Sequence, residues 1–182
     1  FQAYVVYNNL GWSMFHLGRL PEAEHHYELA LSASPSRPPT DHAYINLATL
    51  HKATNRPKQT IKAYRAALSL TDNQPIWVQL GRTLLIDGKV DDAVHALKQA
   101  LVRRFDTAPA TQECHHFLGV ALSLKRQWSR ASYHLVKSVD LGLPANATGC
   151  ANGLWSVTEG WADAPRVKVH RLPLTVVASA VD

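Results

Sequence analysis

The chain has 182 residues, a formal net charge of +5, 46% hydrophobic residues and 18% charged ones. That length allows one or two domains with a sizeable core, and that balance excludes wholesale disorder. The longest apolar run is too short for a membrane-spanning helix, and basic residues interleaved with acidic ones leave no nucleic-acid footprint.

In chain order, residues 1–37 read as a first helix-turn-helix unit. The chain opens on Phe1, not Met, which points to a processed product or a segment of something longer. Leu10, Gly11 and Met14 share one face of a first helix, and Ala23, Tyr27 and Ala30 share one face of a second. Small residues let the two backbones approach, and Tyr7 and Tyr27 fill the space beside them. Gly18 suits the left-handed end of the first helix, and Pro21 suits the start of the second.

Residues 41–73 repeat the pattern with Leu47, Ala48, Asn55, Thr60, Tyr64 and Ala67, and Thr40 or Asp41 is the candidate N-cap. Residues 74–108 repeat it with Leu80, Gly81, Leu84, Gly88, Ala93, Leu97 and Ala100. Residues 111–144 repeat it with Leu118, Gly119, Leu122, Ala131 and Leu135, but Arg126 stands at the turn glycine's place. The small residue after the shared Leu recurs at 11, 48, 81 and 119, at intervals of 37, 33 and 38. Residues 145–160 are expected to form a degenerate capping half-unit, and residues 161–182 an extended tail.

This period and the Leu-Gly/Ala, turn-Gly and Ala-Tyr/Leu-Ala pattern resemble the tetratricopeptide-repeat family. The resemblance covers about residues 1–144 and implies an all-α fold: a right-handed superhelix of about four helical hairpins. It also implies that the first helix of each pair lines a concave groove. Carried over position by position, the groove residues are Val5, Asn8, Asn9, Trp12 and His16 in the first unit. The second gives Ile45, Asn46, Thr49 and Lys52, and the third Val78, Gln79, Arg82 and Ile86. The fourth gives His116, Phe117, Val120 and Leu124.

Asn9, Asn46 and Gln79 share the position before the Leu, and a column of amides offers donors and acceptors to an extended peptide. Trp12, Ile45, Val78, Ile86, Phe117 and Val120 make the rest of the groove partly apolar, which suits an amphipathic helix or an apolar extended segment. The carboxylate clamp of chaperone-binding members is not expected. Its positions read Asn8, Trp12, Asn46, Pro75 and Gln79, without the required cations.

The expected function is therefore a non-catalytic scaffold that binds another protein or peptide, within a multi-subunit complex. The alternatives are the substrate-recruiting part of a larger, glycosyltransferase-like enzyme and an RNA-associated helical-repeat protein. No cofactor or metal is expected. His25–His26 and His115–His116 are adjacent on helices, so each pair of side chains diverges by about 100°. Cys114 and Cys150 form no metal or redox motif and read as free thiols of a reducing, intracellular compartment.

Overall fold

The computed structural model describes residues 2–33, 41–103 and 108–141. The expected capping half-unit over 145–160 and the tail over 161–182 lie outside them, as does Thr40. The described residues hold eight helices: α1 (Gln2–His16), α2 (Leu20–Ser32), α3 (Asp41–Ala53), α4 (Pro57–Leu70), α5 (Gln74–Ile86), α6 (Val90–Val102), α7 (Ala108–Leu124) and α8 (Trp128–Asp140). No strand occurs among these residues. The chain divides into two compact units, Phe1–Phe105 with α1–α6 and Asp106–Asp182 with α7 and α8.

Each helix pair packs as an antiparallel hairpin, and its turn is built the same way every time. Gly18, Asn55, Gly88 and Arg126 all take left-handed backbone, at φ 74°, 53°, 75° and 56°. Two backbone bonds close each turn. In the first, Gly18 N–H donates to Phe15 C=O at 3.0 Å and Arg19 N–H to Met14 C=O at 2.9 Å. In the fourth, Arg126 N–H donates to Ser123 C=O at 2.8 Å and Gln127 N–H to Leu122 C=O at 2.9 Å. These bonds use carbonyls that a helix end would otherwise leave without partners. Pro21, Pro57 and Pro75 then start α2, α4 and α5, where a missing N–H costs nothing.

Within each hairpin the repeated small residues do the work expected of them. Ala23, Ala30, Ala48, Ala67, Ala93 and Ala100 are fully buried. Gly11 lies against the ring of Tyr27, Gly81 against Leu97 and Gly119 against Leu135, all too close for a Cβ. In the first unit one core runs from α2 to α6, through Tyr27, Leu47, Leu50, Ile61, Tyr64, Leu80 and Leu84. At about 25 cal/mol per Å² of apolar surface buried, this shared core supplies stability that a lone hairpin could not.

The repeat position of Leu47, Leu80 and Leu118 is buried, but Leu10 at the same position is 37% exposed. Leu47 and Leu80 join the common core, whereas Leu10 does not. An ion-pair cluster also ties the first two hairpins together. Arg56 donates to both carboxylate oxygens of Glu24, at 2.9 and 2.8 Å. This fork holds the Glu24 carboxyl below its ordinary range. His51 Nδ1 lies 3.7 Å from the same carboxylate, yet burial, followed by Arg56, lowers its pKa and keeps it neutral.

Candidate peptide-binding face

The expected groove residues of the first unit lie on α1, α3 and α5. Asn8 on α1 and Asn46 on α3 meet there: Asn46 Nδ2 donates to Asn8 Oδ1 at 3.0 Å, and both residues are half-buried. Val5, Trp12 and His16 share the Asn8 side of α1 by the helical repeat. Trp12 is 54% exposed, and its ring leans on the His16 imidazole with centroids 4.0 Å apart.

On α3, Ile45 and Thr49 are half-buried and Lys52 is exposed. The Thr49 hydroxyl donates to the Ile45 carbonyl at 2.9 Å, within its own helix. On α5, Gln79 and Arg82 are half-buried and Ile86 is 61% exposed. Burial pushes the Tyr64 phenol up, and the Arg82 charge partly draws it back.

Two sequence expectations change here. Val78 is 1% exposed and belongs to the core, because its position on α5 turns inward. The amide column over Asn9, Asn46 and Gln79 is also not a same-position ladder. Asn9 is exposed, and Asn46 reaches the neighbouring position, Asn8. Equal repeat positions do not face one another when successive hairpins are rotated. The partner is then one residue removed, and only the packing fixes which way.

In the second unit, Phe117 and Val120 of α7 are half-buried and Leu124 is 55% exposed. His116 is buried at 6% exposure, which withdraws it from a ligand-facing role. The histidines set aside as a diverging pair in the sequence have separate surroundings. His115 meets His134 of α8 across the hairpin, Nδ1 to Nδ1 at 2.9 Å, instead of acting with His116. Among the described residues no group of three or more His, Cys, Asp or Glu could hold a metal, and no helix is long and apolar enough to cross a membrane.

With eight helices, four identical turns and small-residue crossings in place, comparison with known proteins is decisive for the fold. The tetratricopeptide-repeat family model matches residues 2–73. Over residues 2–73 the chain carries tetratricopeptide repeats. Solved repeat structures agree with this. One is a tetratricopeptide-repeat protein from Parabacteroides merdae, at TM-score 0.74 and 18% identity, covering 90% of this chain and 62% of that one. Another is pilF of Pseudomonas aeruginosa, at TM-score 0.64 and 23% identity, covering 88% and 74%. A third is YrrB, described as a repeat protein with an unusual peptide-binding site, at TM-score 0.67 and 17% identity, covering 86% and 75%.

At these identities the likeness speaks for the fold alone. A comparison with curated proteins finds no match. The tetratricopeptide-repeat fold is an interaction module, and its partners are proteins or peptides.

Proposed function

We propose that the α1–α3–α5 face binds a segment of another polypeptide and that the chain acts as a non-catalytic scaffold within a larger assembly. One observation carries this reading: an exposed Trp12 stands on the same helix side as the Asn8–Asn46 amide pair. A large aromatic that is already half free of the protein has apolar area to bury against a partner. The amides beside it can exchange their mutual bond for bonds to a peptide group, since each amide both donates and accepts. Val5 and Ile86, 37% and 61% exposed, extend the apolar share of the face. Lys52 and Arg82 add positive charge, so the bound segment is apolar with acidic positions.

Affinity purification of the wild-type chain beside Trp12→Ala and Asn46→Ala variants tests the proposal. The expected result is loss of the same captured proteins from both variants. An unchanged set in both would remove this face as the binding site.

A further inference from the structure

His115 and His134 are not used by the proposed peptide-binding face, and among the described residues they bring two imidazoles of different helices to a single point. Their Nδ1 atoms lie 2.9 Å apart, with ring centroids at 5.1 Å and ring planes 31° from parallel. As a hydrogen bond this needs one ring to donate from Nδ1 and the other to accept. The same spacing has a second meaning. At metal–nitrogen bonds of about 2.0–2.1 Å, two nitrogens in neighbouring positions of a square or octahedral site stand about 2.9 Å apart, against about 3.3 Å in a tetrahedral one.

We propose that His115 and His134 form a two-imidazole seat for one divalent copper or nickel ion, with water completing its coordination. Binding requires both rings to be neutral and both protons to sit on Nε2. The donor ring therefore moves its proton from Nδ1 to Nε2, and no net proton is released at neutral pH. Each ring then pivots so that its Nδ1 lone pair aims beside the line joining the two atoms.

The surroundings fit a nitrogen-only site. The neighbouring Cys114 is fully buried, which withdraws its thiol from the site. Both imidazoles are half-buried, which leaves an open side for water ligands. Lys137 is exposed on the same helix as His134, and its charge opposes a cation.

Calorimetric titration of the full chain with nickel(II), with magnesium(II) as control, reads the site. The wild type should bind one nickel ion at this pair and no magnesium, because magnesium prefers oxygen ligands. His115→Gln and His134→Gln should each weaken that site by roughly tenfold or more, and Lys137→Gln should strengthen it. Histidines elsewhere contribute equally to every variant, so the difference belongs to the pair. Copper(II) electron paramagnetic resonance on the wild type, with copper below one equivalent, should show two coordinated imidazole nitrogens. Identical isotherms for the wild type and both histidine variants would overturn the proposal. So would a copper spectrum with a single imidazole nitrogen.

Discussion

Gly81 lies directly beneath Leu97: a Cβ added to Gly81 would stand 2.5 Å from Leu97 Cγ and 2.8 Å from its Cδ2. With Leu97 seated there, the α5–α6 hairpin packs this closely because position 81 has no side chain. Gly81→Ala must push Leu97 and the helix that carries it. Overpacking of this kind costs about 1–3 kcal/mol, against which the better helix propensity of Ala returns up to about 1 kcal/mol. The expected outcome is net destabilisation, measured as a lower urea midpoint at unchanged slope. Gly119→Ala should cost more than Gly81→Ala, because its Cβ would also meet the Leu135 backbone nitrogen at 3.2 Å, and backbone yields less than a side-chain tip.

Arg126 holds a left-handed conformation at φ 56°, in the place that Gly18 and Gly88 occupy in other hairpins. A side chain there costs about 1–2 kcal/mol, and glycine gives back part of that gain through its freer unfolded chain. Arg126→Gly should raise the thermal midpoint of the α7–α8 hairpin, and Gly88→Ala should lower that of the first unit. Circular dichroism melts would check both. A fall in midpoint with Arg126→Gly would mean that the arginine side chain supports the turn by contacts that outweigh its strain.

Acid should weaken the fold in two steps. His51 has a folded pKa below its ordinary 6.5, so the unfolded chain takes up the proton first. Its contribution is complete above that value and is lost as pH falls through the folded one. Glu24 has a folded pKa below its ordinary 4.5, so its fork with Arg56 is intact above that value and fails as pH drops further. Stability measured against pH should decline below pH 6.5, and again below 4.5. Glu24→Gln should flatten the second decline and cost about 0.5–1 kcal/mol at neutral pH, the range for a partly exposed pair.

Trp12 and Tyr27 separate the proposed binding face from the core. Trp12 is 54% exposed, and Tyr27 is 1% exposed beneath Gly11. Trp12→Ala should change stability by no more than about 0.5 kcal/mol, whereas Tyr27→Ala should cost about 3–5 kcal/mol. Chemical denaturation gives both numbers. Trp12→Ala is thus a clean reagent for the binding test, since loss of partners will not reflect loss of fold.

The hairpins themselves were legible in the residue order. Their spacing is a local property: about one helical turn separates Leu47 from His51, and Gly18, Asn55 and Gly88 take the left-handed backbone that ends each first helix. The pairing of Ala23, Tyr27 and Ala30 as a buried stripe followed from the same arithmetic. Even Arg126 could be placed at its turn by counting, although its residue type argued against it.

Contacts between helices were not legible in this way. Asn46 bonds Asn8 instead of Asn9, Val78 turns into the core, and His115 finds His134 nineteen residues on. Each depends on the rotation of one helix against the next, and a shift of a single residue turns a side chain by about 100°. Periodicity says which stripe is buried, but the crossing of two helices decides which residues at its edge meet. The repeat was therefore written in the sequence, while the amide pair, the exposed Trp12 and the two facing imidazoles were decided by packing.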